Sequence, residues 1–170
     1  KLEEGSASLH PAVGLRENSA DGIAPGFQAD GFLKTASVSL VEGGRHAGAL
    51  ISPRSAREYG LNTNGANAAE APEAIEMAAG GLARADVLSA LDTGLLIGNL
   101  HYLNFSDRIA CRMTGMTRFA TFWVENGKIQ APLNVMRFDD SAYRVLGENL
   151  LALTAERDMI IDSSSYGERS

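Results

Sequence analysis

The chain has 170 residues, of which 45% are hydrophobic, 21% charged and 6% aromatic, and its formal net charge is -6. That length supports one ordinary domain with a sizeable core, and the balance of charge and hydrophobicity excludes an intrinsically disordered chain. The acidic balance excludes a protein whose main task is gripping nucleic acid, because such proteins need a basic surface to displace counterions.

The first thirty residues read as a loop-rich lead-in, punctuated by Gly5, Gly14, Gly22 and Gly26 with Pro11 and Pro25. From Phe32 to Val41 the residues suit a strand, Glu42-Gly43-Gly44 a turn, and Ala47 to Ile51 a returning strand. Ser52-Pro53 then predicts a short helix, with the hydroxyl capping an orphan amide and proline at a position with no intrahelical N–H hydrogen bond to lose. Gly60 is placed to end it in the left-handed conformation. A polar loop follows from Leu61 to Ala71, then a short strand over Glu73 to Met77 and a helical segment over Asp86 to Leu91. Gly94 to Leu100 reads as a nearly continuous apolar strand, central in a sheet. Phe119 to Val124 and Lys128 to Val135 flank Glu125-Asn126-Gly127, a hairpin turn signal because Asn and Gly tolerate positive φ. Asp139 or Asp140 is expected to cap a last helix through Ala142, Val145, Leu146, Leu150 and Leu151, and Met159 to Ile161 to form a final short strand. Hairpins mixed with a few short helices predict a single α+β domain with mainly antiparallel sheet.

No apolar run is long enough to cross a bilayer, and the acidic Lys1-Leu2-Glu3-Glu4-Gly5 does not read as a signal peptide. The serine-rich stretch from Ser163 to Ser170 reads as a loop heading into another strand, as in a fragment. The three histidines, His10, His46 and His101, lie far apart and form no helical metal motif. No G-x-S-x-G and no phosphate-loop motif occurs, Gly43-Gly44 and Gly80-Gly81 read as turns, and Trp123 reads as core. Cys111 is the sole cysteine, so no disulfide can form within the chain, and it reads as a small buried filler. The sharper alternative is a thiol hydrolase, with Arg108 and Arg112 favouring the Cys111 thiolate and His101 as base.

One stretch combines aromatic, hydrogen-bonding and cationic groups: Asn99 to Arg108 followed by Cys111 to Arg118, read as a loop joining two strands. Such loops carry binding groups. His101, Asn104, Arg108, Arg112, Thr114 and Arg118 are therefore the candidate residues for contacting a peptide or a partner.

Residue type and order resemble the C-terminal region of the TldD/PmbA family, whose members include proteins described as modulators of DNA gyrase, and the PmbA (TldE) side more than the TldD side. Asp92-Thr93-Gly94-Leu95-Leu96-Ile97 is similar to the family's G-L-L-V strand, and Phe122-Trp123-Val124-Glu125-Asn126-Gly127-Lys128-Ile129 to its F-W-[IV]-E-N-G-E-I hairpin. Gly48 to Gly60 resembles a family strand followed by an S-x-R-x-x-G helix, and Asp140 to Leu151 falls where the family places a helix. The resemblance covers about Leu33 to Ile161.

It implies a cytoplasmic peptidase working as a heterodimer. The active member of that pair binds zinc through two histidines of an H-E-x-x-x-H helix and a later cysteine, and the glutamate activates the bound water. This sequence has no such helix, and no cysteine occurs in Asp158 to Arg169, where the ligand cysteine would fall. The resemblance therefore implies a PmbA-type partner holding no zinc cofactor, with zinc expected only in a TldD-type subunit. The alternative is a piece that merely lacks the histidines, and the missing cysteine favours the first reading. Expected partners are a TldD-type subunit in a heterodimer, or a second copy in a homodimer, and a peptide substrate, without direct nucleic-acid or membrane binding. A plain non-enzymatic dimerisation module is the third reading.

Overall fold

The computed structural model describes residues 1–21 and 24–161. It carries ten strands in three antiparallel sheets and two short α-helices, the α+β architecture the sequence predicts. Strands β1 (Leu15–Asn18), β2 (Ser37–Glu42), β3 (Arg45–His46) and β4 (Ile75–Met77) form a sheet of order β3-β2-β1-β4. Helix α1 (Pro53–Tyr59) stands between β3 and β4 in the chain, and a 3₁₀ turn (Arg84–Asp86) runs into α2 (Val87–Leu91). Strands β5 (Gly94–Ile97), β8 (Thr121–Glu125) and β9 (Lys128–Pro132) make a second sheet of order β5-β8-β9. Strands β6 (Leu100–Asp107), β7 (Arg112–Thr117) and β10 (Arg137–Ser141) make the third, of order β10-β7-β6.

Local chemistry explains the turns. Ser52 caps α1, its Oγ accepting from the Ser55 amide at 3.1 Å, and Gly60 closes the helix at φ 67°. The β8–β9 hairpin turns on Asn126 and Gly127 at φ 51° and 69°, the paired positive angles that a tight hairpin turn demands.

The lead-in departs most from its reading. It supplies β1, an inner strand of the first sheet, and two of the buried apolar residues, Leu9 and Val13. These pack with Val41 and with Leu146, Leu150 and Leu153 from the far end of the chain. The His10 amide donates to the Leu146 carbonyl at 2.9 Å, so both ends of the described chain share one core. Four-residue β1 holds too few apolar residues for its alternation to rise above the surrounding glycines and prolines.

Four other expectations are corrected. Gly94 to Leu100 is not one central strand: β5 ends at Ile97, lies at a sheet edge, and leaves β8 in the middle. The helix expected over Asp140 to Leu151 is shorter: strand β10 runs to Ser141, helical turn begins at Ala142 and widens to π over Arg144–Glu148, with a break at Gly147 (φ -111°, ψ -109°). Glycine at that point favours a break over continued helix. Met159 to Ile161 adopts no strand. Ala47 to Ile51, expected as a return strand, forms none; the return is β3, Arg45–His46, directly after the turn.

A charged knot fastens the chain's far end to the first sheet. Glu76 on β4 accepts from Asn18 Nδ2 at 2.6 Å, pairs with Arg157, and pairs with Arg16 at 3.0 Å. The Asn18 hydrogen bond first, then Arg157 and Arg16, hold its carboxyl down at about 2. Beside it, Thr154 bridges to Leu82 in parallel, and its carbonyl accepts from Gly80 at 2.8 Å.

Candidate functional site

The stretch read as a binding loop is a β-hairpin. Asn99 to Arg118 forms β6, a turn at Arg108 to Cys111, and β7, with Leu100 opposite Thr117 and Asp107 opposite Arg112. Alternating polar and apolar residues explain it: each strand sends successive side chains to opposite faces. The aromatic and cationic groups concealed that period, because Tyr102 at φ 52° is an irregularity that shifts the register between His101 and Asn104.

The third sheet is two-faced. One face carries Asn104, Arg112 and Thr114 from the sequence reading, joined by Arg137 and Asp139 of β10. Arg112 pairs with Asp139, and Thr114 Oγ1 donates to the Phe138 carbonyl at 3.0 Å while accepting from Arg137 Nε at 3.2 Å. Asn104 Oδ1 accepts the Phe105 amide at 2.8 Å. The opposite face carries Leu103, Phe105, Met113 and Phe138, packed over Gly115, whose missing Cβ would lie 2.7 Å from both Leu103 and Phe138. That face stays open: Leu103 is 55% and Phe105 49% exposed.

The six candidate residues therefore do not form one cluster. Asn104, Arg112 and Thr114 share the polar face. Arg108 sits at the hairpin turn, its guanidinium 5.7 Å from the Phe105 ring centre. His101 and Arg118 sit at the opposite end, with Arg118 Nη1 3.2 Å from His101 Nδ1 and the guanidinium 5.2 Å from the Phe119 ring centre. Arg137 and Asp139 join this face although the sequence does not single them out for it: Arg137, Asp139 and Ser141 alternate with period two, and Asp139-Asp140 suits a helix cap equally well.

The thiol-hydrolase arrangement does not assemble. Cys111 lies in the turn at φ 49°, while His101 lies opposite Met116 near the hairpin's other end. Six residues of strand separate His101 from Asp107, roughly 15–20 Å at strand rise. No base stands within reach of the thiol from that position. Among the described residues, no three His, Cys, Asp or Glu side chains converge to hold a metal ion, and no helix is long and apolar enough to cross a membrane.

The surface area is the sharpest anomaly. The molecule exposes 11841 Å², whereas a folded monomer of 18.0 kDa exposes about 8000 Å². Granting the eleven undescribed residues the full surface of an unfolded chain accounts for at most about 1800 Å² of this difference. Roughly 2000 Å² of extra surface remains, open to cover by the rest of a longer chain as well as by a separate subunit.

Residues 17–167 match the PmbA/TldA metallopeptidase C-terminal domain. The chain belongs to that family. Among solved structures it is similar to a protein of Thermotoga maritima described as a candidate modulator of a DNA gyrase, at 17% identity and a TM-score of 0.68 over 85% of this chain and 35% of that one. It is similar to TldE from Thermococcus kodakarensis at 15% identity and a TM-score of 0.68, over 84% of this chain and 35% of that one. A candidate modulator of DNA gyrase from Bacteroides thetaiotaomicron matches at 16% identity and a TM-score of 0.63, over 83% of this chain and 31% of that one. No match is found among curated proteins. The PmbA/TldA C-terminal domain here thus spans about a third of the length of the structures it resembles. At such identities the likeness is one of fold.

Proposed function

We propose that this PmbA/TldA C-terminal domain belongs to a PmbA/TldE-like subunit that binds no zinc and completes a cytoplasmic TldD-type metallopeptidase acting on unfolded peptides. The observation that supports the reading is the fold likeness to TldE together with a sequence that has no cysteine in Asp158 to Arg169, where the family resemblance places the zinc-ligand cysteine. The third sheet contributes exposed apolar side chains, with Leu103, Tyr102 and Phe105 55%, 74% and 49% exposed. Apolar surface of this extent is a site of association. The fold likeness to TldE is consistent with the partner role.

In this reading the apolar face of the third sheet is covered by another part of the assembly. The polar face, with Asn104, Arg112, Thr114, Arg137 and Asp139, fronts the peptide chamber or the subunit boundary. Strand β6 is a sheet edge, so its outer amides and carbonyls can receive an extended chain with little sequence preference. His101 and Arg118 at one end and Arg108 at the other bracket that edge.

The test is hydrogen exchange on the chain alone and mixed with a TldD-type subunit. Slowed exchange of the β6, β7 and β10 amides in the mixture is expected. No complex, or protection confined to the first sheet, would overturn the assignment of this face.

A further inference from the structure

Beneath the lead-in, β1 and the following turn meet the loop from Asn64 to Glu73 around a small cavity of mixed polar and apolar lining. Its lining includes Glu17, Ser19, Lys34, Asn64, Asn67 and Glu73. Its free volume, about 10 Å³ counted at the centre of a water molecule, suits one water and nothing larger.

The lining groups are tied down. Glu17 is 5% exposed, and its carboxylate accepts from the Glu73 and Ala74 amides at 3.1 to 3.2 Å. The Lys34 side chain is 6% exposed and pairs with Glu73. Asn64 accepts from the Ile51 amide at 2.9 Å and donates to the Ala49 carbonyl at 2.8 Å. Against this background Ser19 stands out: its Oγ is buried and has no hydrogen-bond partner among the described residues. A buried hydroxyl left unpaired costs about 1–3 kcal/mol, so native structures pair nearly all of them.

We infer that the cavity holds one ordered water, bound by the Ser19 hydroxyl and by groups of the surrounding shell. The chemistry suits it. A buried water needs two to four polar partners. The Lys34 ammonium has donors to spare beyond Glu73, and the Ser19 hydroxyl can both donate and accept. The water joins the lead-in to the Asn64–Glu73 loop at the point where β1 enters the first sheet. It is a structural ligand, independent of any role in peptide cleavage.

The deciding experiment is a crystal structure of the full chain at about 1.5 Å. Density for one water within hydrogen-bond reach of Ser19 Oγ is expected. An empty cavity, or Ser19 Oγ bonded directly to a protein group, overturns the inference. In solution, water-proton relaxation dispersion should lose one long-lived water in Ser19→Ala relative to the parent, with the fold checked by circular dichroism. An unchanged dispersion amplitude in a folded variant also overturns it.

Discussion

Three glycines separate two causes of strain, and replacing each by alanine tests the packing of the lead-in and of the chain's far end. Gly60 has φ +67° with open space where a Cβ would stand, so Gly60→Ala meets only the left-handed backbone cost. That cost is about 1–2 kcal/mol, partly offset by about 0.4–1 kcal/mol from the stiffer unfolded chain, leaving roughly 0.5–1 kcal/mol. Gly80 has no positive φ, but a Cβ there would lie 2.1 Å from the Leu153 carbonyl oxygen. The far segment must move, an overpacking cost of about 1–3 kcal/mol. Gly65 combines both: φ +73° and a Cβ 2.1 Å from the Leu33 carbonyl oxygen. Its replacement should cost about 2–4 kcal/mol, the sum of the two effects. Urea unfolding followed by Trp123 fluorescence reads the three values, provided the slope m is unchanged. The order Gly60, Gly80, Gly65 is expected, with thermal midpoints falling about 2–4 °C per kcal/mol. Gly60→Ala and Gly65→Ala within about 0.5 kcal/mol of each other would refute the close approach of the Gly65 loop to Leu33 and Lys34.

The Glu76 knot gives a pH signature. Its folded value of about 2 lies below the ordinary 4.5, so its stabilisation is complete above pH 4.5 and is lost as pH falls toward 2. Thermal melts should show Glu76→Gln losing less stability than the parent between pH 5 and about 2.5; parallel curves would count against the knot. Val124, fully buried in β8, should cost about 2–3 kcal/mol when cut to alanine, measured by the same urea curves, whereas a change under about 0.5 kcal/mol would place it outside a core. Cys111→Ser should leave peptidase activity of the reconstituted assembly unchanged, and abolished activity would revive the thiol reading. The paired substitution of Arg112 and Arg118 by alanine should weaken binding to a TldD-type subunit at least tenfold in sedimentation titrations while the chain stays folded, because exposed pairs such as Arg112–Asp139 contribute under about 1 kcal/mol to folding. Unchanged pairing would remove these residues from the interface.

The parts legible in the sequence are those set by local chemistry. Ser52, Pro53 and Gly60 frame α1, Asn126-Gly127 turns β8 into β9, and Glu42-Gly43-Gly44 turns β2 into β3, each through a rule acting within a few residues. What failed depends on distant partners. β1 is a strand because β2 and β4 supply its hydrogen bonds. β10 is a strand because β7 lies beside it, although Asp139-Asp140 and the apolar spacing beyond them suit a helix start. The candidate site was legible by composition but not by geometry. A bulge at Tyr102 broke the alternation within β6 that would have set Asn104 against Leu103 and Phe105, and only the pairing with β7 brings Arg112 and Thr114 onto the face of Asn104. The family hairpin at Phe122 to Ile129 stood out because β8 and β9 combine local turn chemistry with a central strand.

The central claim, a subunit that completes a zinc peptidase without holding the zinc itself, is tested most directly by metal content and peptidase activity measured together. Atomic emission on the pure chain, alone and after mixing with a TldD-type subunit, is read beside cleavage of an unfolded peptide. The account predicts no stoichiometric zinc and no cleavage by the chain alone, with cleavage in the mixture exceeding that of the TldD-type subunit by itself. Stoichiometric zinc and cleavage by the isolated chain would contradict it.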